Sequence, residues 1–397
     1  MNRRHQVAAT LTAATALLAA CSANTSDEAA TTTATTGAST SNKTSGEQLT
    51  LTDVKGRTVV LDHAPERIIL GEGRGVFATS ILDNKNPLDH VVAMGSDLKA
   101  AAPSYYDKFM DAVPAAKDIP TIGNMGKGDV TVENLLSHQP DLVIMSADHY
   151  DASQGNGLLD KLDTAKIPYV VTDFRQHPME NTTKSVELLG KIWNKQDRAA
   201  DFTNTWNTKV EKVKELVKDE EATPTFLWRA AGLKDCCNTI NNSNLGEFVN
   251  AAGGDNLGDH LLDAESGTVT AEKLIEKQPQ VIIATGGSWA PDKDKPQAIP
   301  HANLGYDTDA ADATSTLAGL VATPGLDQVT ATQNGNLYSV WHQFYDSPLN
   351  YIALMQFARW LHPEATQELD VEKEWKDAHS KYVAFPVSGT FFAQDKK

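Results

Sequence analysis

Three cysteines in 397 residues exclude a fold stapled by many disulfides. Basic charge is also in short supply. Lys and Arg number 35 against 52 Asp and Glu, a formal net charge of −17. Such a surface argues against nucleic acid, whose phosphates demand a basic face, and otherwise serves solubility. Beyond the first 20 residues no apolar run is long enough to cross a bilayer. No Gly-x-Ser-x-Gly elbow and no His-Glu-x-x-His zinc motif occurs. These absences remove nucleic-acid binding and the common hydrolase classes.

At the start of the chain, Arg3 and Arg4 precede a short apolar stretch interrupted by Thr10, Thr12 and Thr15. It ends in Leu17-Leu18-Ala19-Ala20-Cys21. A basic region, an apolar region and small residues before a cut mark an export signal. With Cys at the cut, residues 1–21 resemble a bacterial lipoprotein signal. The resemblance implies a lipid-modified Cys21 and a place outside the cytoplasm, anchored to the cell membrane. Residues 22–48 are almost entirely Ser, Thr, Ala, Gly, Asn and small acids. With nothing to bury, they read as a disordered tether. The remaining body of about 350 residues suits two lobes.

Its rhythm is that of an α/β protein. Arg67–Leu70, His90–Gly95, Pro140–Met145 and Ile167–Val171 read as buried strands, with helices from Val76, over Thr131–His138 and over Leu158–Ala165. Continuous apolar strands alternating with helices indicate a parallel sheet covered on both faces. From Met179 to Glu221 the strand signal stops. Val186, Leu189, Ile192, Trp193, Ala199, Phe202, Trp206, Val210, Val213 and Leu216 recur at helical spacing. The α/β rhythm resumes with strands at Phe226–Trp228, Gln280–Ala284 and Asn336–Val340, and helices over Leu245–Ala252, around Leu274 and over Leu349–Leu361. The expected architecture is two Rossmann-like α/β lobes, 49–178 and 222–397, facing a cleft and joined by a single long helix within 179–221. The halves echo each other: Thr131-Val132-Glu133 before Gln139-Pro140-Asp141 matches Thr270-Ala271-Glu272 before Gln278-Pro279-Gln280.

Taken together, Pro65-Glu66-Arg67-Ile68-Ile69, Glu133 with Gln139-Pro140-Asp141-Leu142-Val143-Ile144, and Asn244-Leu245-Gly246-Glu247 with Ala252-Gly253-Gly254-Asp255-Asn256 carry a family resemblance. From Leu49 to the C-terminus the chain resembles the bacterial solute-binding proteins that serve ABC importers of ferric siderophores, haem and vitamin B12. Trp341-His342-Gln343-Phe344-Tyr345 and Trp360-Leu361-His362-Pro363 look like an iron-complex subgroup. The resemblance implies a monomeric binding protein, not an enzyme, with no cofactor of its own. Its partners would be an iron complex, a permease and a separate ATPase. It implies one docking glutamate per lobe, which by motif position are Glu133 and Glu247. Helix N-terminal stabilisation is the plain alternative for both.

Ligands of open α/β sheets bind beyond the carboxyl ends of the strands. The loops there hold Arg74 in Gly71-Glu72-Gly73-Arg74-Gly75, then Asp148-His149-Tyr150, Asp173-Phe174-Arg175, Trp228-Arg229, Trp289, and His342 with Tyr345. Guanidinium forks suit the oxygens of anionic ferric complexes, and aromatic faces suit their rings. The expected ligand-binding set is Arg74, His149, Tyr150, Arg175, Trp228, Arg229, Trp289, His342 and Tyr345. Imidazole and phenolate ligate iron, so His342 and Tyr345 are candidate iron ligands and keep a haem reading open, ahead of cobalamin or an oxyanion. The glycine run superficially matches a dinucleotide fingerprint, but position 76 is Val where the third Gly should stand. Cys236 and Cys237 are adjacent. Neighbouring Cα atoms lie about 3.8 Å apart, below the usual disulfide range of about 4.4–6.8 Å. A local disulfide staple and a thiol pair for a soft metal both stay open.

Overall fold

The computed structural model describes residues 48–233, 236–289 and 301–395. Cys21, the export signal and all but the last residue of the tether lie outside the described residues. No described helix is long and apolar enough to cross a membrane.

A hairpin opens the fold, β1 (Leu49–Thr52) against β2 (Thr58–Leu61). The first lobe is built on β3 (Ile68–Leu70), β4 (Val91–Met94), β5 (Leu142–Ser146) and β6 (Tyr169–Thr172). They form a parallel sheet in the order β4-β3-β5-β6. Every residue of β3, β5 and β6 is buried, because helices cover both faces and alternation has no solvent side to serve. The second lobe uses β7 (Thr223–Trp228), β8 (Asn238–Ile240), β9 (Gly254–Asn256), β10 (Ser266–Thr268), β11 (Val281–Gly286), β12 (Leu337–Trp341) and β13 (Phe392–Gln394). Its main sheet runs β13-β12-β11-β7-β9, parallel except for β13. β8 and β10 pair separately and antiparallel.

The connecting segment is two helices, Pro178–Ile192 and Gln196–Val217. Asn194 interrupts them with φ +52°, the left-handed conformation in which Asn is a favoured helix stop. Both helices reach across the molecule. The first packs on β6, on Val76–Leu82 and on Asn244–Ala251, and the second on Val76–Leu82 and Tyr351–Leu361. Phe202 and Trp206 anchor the second helix in the core, each contributing roughly 1.5–3 kcal/mol by burial. Trp206 Nε1 donates to Asn350 Oδ1 at 2.8 Å, and Asn350 Nδ2 donates to Thr182 Oγ1 at 2.9 Å. This buried relay ties both connecting helices to the second lobe. Aromatic packing joins the lobes directly: Tyr105 lies 5.8 Å from Tyr306 and 5.2 Å from Phe385, centroid to centroid.

The internal echo is structural. Helices Val132–Ser137 and Ala271–Lys277 are capped by Thr131 and Thr270, whose side chains accept from Asn134 N and Lys273 N. Each is followed by a Gln at φ +48°, Gln139 and Gln278, then Pro, then the central strand. The left-handed Gln ends the helix, and Pro cannot continue it.

Candidate functional site

The Gly71–Gly75 run delivers Arg74 to the carboxyl edge of the first sheet. The glycines here let protein approach protein. A Cβ on Gly73 would sit 2.5 Å from the Gly95 carbonyl oxygen, and one on Gly71 would sit 2.7 Å from Met125 Sδ. The amides that could have received a ligand's anionic oxygen are taken by Asp97. Its Oδ1 accepts from Gly73 N at 2.6 Å, and its Oδ2 accepts from Arg74 Nε at 2.7 Å.

Arg175 is placed by Asp173, at the end of β6. The Asp173 carboxylate accepts from the amides of Arg175, Gln176 and His177 at 2.7–2.9 Å and from Asn181 Nδ2 at 2.8 Å. That folds the loop so that the Arg175 guanidinium meets the second lobe. Its Nε and Nη2 donate to the two oxygens of Asp346 at 3.2 and 2.7 Å, a bidentate pair. Nη1 donates to Asp148 and Nη2 also to Glu72. Arg74 pairs with Glu72 and Asp97 and reaches Asp346 Oδ2 at 3.1 Å, and it donates to the Tyr345 hydroxyl. Tyr345 lies beneath both guanidinium groups, 5.6 and 5.2 Å from its centroid. Asp346 and Tyr345 come from the 3₁₀ turn His342–Asp346 that follows β12. The lobes therefore meet through two arginines and four carboxylates.

Burial disfavours the Glu72 carboxylate, but Arg175 and Arg74 outweigh it and hold Glu72 well below the usual carboxylate range. Burial wins at Asp346, pushed up to about 6 against the pull of Arg175. The two carboxylates share the same two cations.

Outward of this cluster is a recess of about 150 Å³, walled by Asp148, Arg175 and Gln176 of the first lobe. Arg229, Ser243, Asn244 and Glu265 are among the second lobe's contributions. Among the described residues the Arg229 guanidinium has no hydrogen-bond or ion-pair partner. His342 is buried, and its Nδ1 meets Thr285 Oγ1 at 2.7 Å. Ala230 N also donates to that hydroxyl oxygen. Burial first, then Arg229, Arg74 and Arg175, keep this imidazole neutral. Trp289 stands edge-on to His342 at 5.0 Å. Its Nε1 donates to the Ala101 carbonyl at 3.0 Å, which Gln343 Nε2 also reaches at 2.7 Å. Arg74, Arg175, Arg229, Trp289, His342 and Tyr345 are thus brought together around the cleft.

Three expected members are not. Trp228 is 2 % exposed and packs in the second lobe's core with Phe226 and Leu257. Tyr150 turns away from the cleft, between Tyr169 at 6.5 Å and the cations of Lys55 and Arg57 at 5.6 and 5.7 Å. Its neighbour His149 is buried within the first lobe, against Gly126. As for iron ligation, no cluster of three or more His, Cys, Asp or Glu able to hold a metal occurs among the described residues. The residues missed by sequence reasoning are the carboxylates, Glu72, Asp97, Asp148 and Asp346. Their signal was present, since each sits in or beside a loop already singled out or predicted to lie at a strand end. Cys236 and Cys237 form a disulfide across a cis peptide, in the β7–β8 connection that also carries Arg229.

Of the two glutamates expected at the surface, Glu133 is exposed in the first turn of its helix. A hydrogen bond from its own amide and one from Thr131 hold its pKa down. Glu247 corrects the expectation. Its side chain is 12 % exposed, and it accepts from Met179 N at 2.9 Å and pairs with His177 Nδ1 at 3.0 Å. It caps the helix Pro178–Ile192. The exposed counterpart of Glu133 in the second lobe is Glu272, whose pKa is lowered by its own amide and by Thr270 in the same way.

Comparison with known proteins places this geometry. The model of a family described as periplasmic binding protein matches residues 84–342. Among solved structures, the TroA-like periplasmic binding protein FepB from Veillonella parvula is 24 % identical, with a TM-score of 0.78 over 87 % of this chain and 99 % of that one. The molybdate-binding MolA of Haemophilus influenzae is 15 % identical, with a TM-score of 0.65 over 86 % and 99 %. A protein of an ABC-type Fe3+-hydroxamate transport system from Saccharomonospora viridis is 22 % identical, with a TM-score of 0.53 over 79 % and 99 %. At these identities the likeness is one of fold. No curated protein matches the chain.

Proposed function

The chain belongs to the periplasmic binding protein family, and we propose that it is the solute-binding component of an ABC importer that captures a ferric-siderophore complex. Fold alone does not choose the cargo, since structural neighbours include a molybdate binder and a protein of an Fe3+-hydroxamate system. The observation that carries the reading is Arg229. It lines an interlobe recess beside Arg175 and Asn244, with no hydrogen-bond or ion-pair partner among the described residues. A guanidinium fork so placed suits the oxygens that surround iron in such complexes. Direct iron ligation plays no part in this reading. His342 Nδ1 and the Tyr345 hydroxyl are engaged by Thr285 and Arg74. Cys21 is the proposed lipid anchor. The 49–178 and 222–397 lobes deliver the cargo as one body, linked by the 179–221 segment.

Titration of the purified chain with ferric trihydroxamate, ferric tris-catecholate, ferric citrate, haemin and cobalamin tests the cargo. Saturable calorimetric binding of a ferric complex, absent with its iron-free form, is expected; binding of haemin or cobalamin alone would refute the reading. For docking, we propose Glu133 and Glu272 as the carboxylates presented to the permease, one on each lobe. The double variant Glu133→Ala, Glu272→Ala should abolish uptake while leaving cargo affinity intact. Normal uptake by that variant would remove both residues from the docking face.

A further inference from the structure

We infer that the cleft selects its cargo by charge, taking ferric complexes that are neutral or positive as a whole, with Asp148 setting the preference. The inference rests on the iron-complex reading above. It departs from the expectation that arginines in the cleft call for an anion.

The charges of the recess wall cancel, Asp148 and Glu265 against Arg175 and Arg229. Immediately behind it lie Glu72, Asp97 and Asp346, where Arg74 is the one further arginine among the described residues that pairs with them besides Arg175. Among these named groups, five carboxylates face three arginines, an excess of two negative charges. Arg175 and Arg74 are already spent. All three Arg175 nitrogens donate to Asp346, Asp148 and Glu72, and the Arg74 side chain donates to Asp97, Glu72 and Tyr345. The amides at Gly73 and Arg74 are occupied by Asp97. A multiply anionic complex would have to displace these partners or face them, and like charges brought together in a desolvated site are strongly penalised.

Among the described residues, Asp148 holds a buried acceptor atom without a partner. Its Oδ2 takes the hydrogen bond from Arg175, while its Oδ1 has no hydrogen-bond partner among the described residues. An acceptor left unpaired out of water is costly, and the group that satisfies it must be a donor. An ammonium, amide N–H or hydroxyl on the cargo fits; a catecholate or carboxylate oxygen does not. Arg229, across the recess, remains free to donate to iron-bound oxygens, which carry negative charge even when the whole complex does not.

The experiment compares three ferric complexes by calorimetry. They are ferrioxamine B (a trihydroxamate with a free ammonium, singly positive), ferrichrome (a neutral trihydroxamate) and ferric enterobactin (a tris-catecholate, triply negative). The trihydroxamates should bind at least about tenfold more tightly than the catecholate. In Asp148→Asn the advantage of ferrioxamine B over ferrichrome should shrink by at least about threefold. Equal or tighter binding of the catecholate by the unaltered chain overturns the inference while leaving the iron-complex reading in place. So does an unchanged ratio in a folded Asp148→Asn. Failure of all three complexes, with haemin or cobalamin bound instead, overturns both.

Discussion

Arg175 and Arg229 line the same recess from different lobes, and their surroundings have little in common. Arg175 is wrapped by Asp346, Asp148 and Glu72. Arg229 contributes its backbone amide to Asn238, and its guanidinium has no hydrogen-bond or ion-pair partner among the described residues. An arginine at a strand end is therefore not by itself a ligand group. What decides is whether the fold has already supplied its carboxylates. Where it has, the arginine holds the lobes together and its charge is cancelled; where it has not, the fork is available to a cargo.

Breaking the first half of that comparison should have the largest effect. Arg175→Ala leaves Asp346 and Glu72 buried with Arg74 alone between them, and removal of one partner from a buried ion-pair cluster costs about 3–5 kcal/mol. Denaturant unfolding should show a loss of that order. A loss below about 1 kcal/mol would mean that the cluster is solvated and that Arg175 is free after all. Arg229→Ala should do the reverse. Its stability should stay within about 0.5 kcal/mol of the parent chain, while its affinity for every ferric complex that binds should fall about tenfold, or about 1.4 kcal/mol. A folded Arg229→Ala with unchanged affinity would erase the distinction between the two arginines.

The same contrast explains what could be read from the sequence. The strands β3, β5, β6, β11 and β12 are mostly apolar runs, so their positions were plain to within about two residues. The hairpin β1–β2 was not anticipated; its short alternating segments stand at the edge of a polar tether and carry a weaker signal. The break at Asn194 was legible in principle, since Asn before a polar pair is a helix stop, but the apolar spacing continues across it and masks it. Trp228 was decidable too. It stands two residues from Phe226 on β7, and both point into one core cluster, while Leu227 belongs to another. Tyr150 and His149 are adjacent on a helix and so must face different directions. The arginines could be found because strand-end loops are where ligands bind. Their neutralisation could not. Arg175 meets Asp346 across 171 residues and Glu72 across 103, and no local pattern reports a pairing at that range.

Two glutamates sharpen the lesson at a smaller scale. Glu247 and Glu272 each stand in the first turn of a helix in the second lobe. A motif-based choice favours the former, and the internal repeat favours the latter. Glu247 accepts from Met179 N and from His177, so it serves the start of the helix Pro178–Ile192 rather than the solvent. Burial pushes its carboxyl up, against those two donors. Among the described residues, Glu272 bonds only within its own first turn, through its own amide and Thr270, and it is exposed. Glu247→Ala should lose about 1 kcal/mol in thermal or denaturant unfolding, the scale of a lost helix cap, and Glu247→Gln should recover part of it. Glu272→Ala should stay within about 0.5 kcal/mol of the parent chain. If Glu272→Ala proves the more destabilising, the exposed carboxylate is a structural cap and the repeat has misassigned the surface. If Glu247→Ala is the costlier, the residue holds the connecting helix in place, and the carboxylate offered to a partner by the second lobe is the one that the repeat pairs with Glu133.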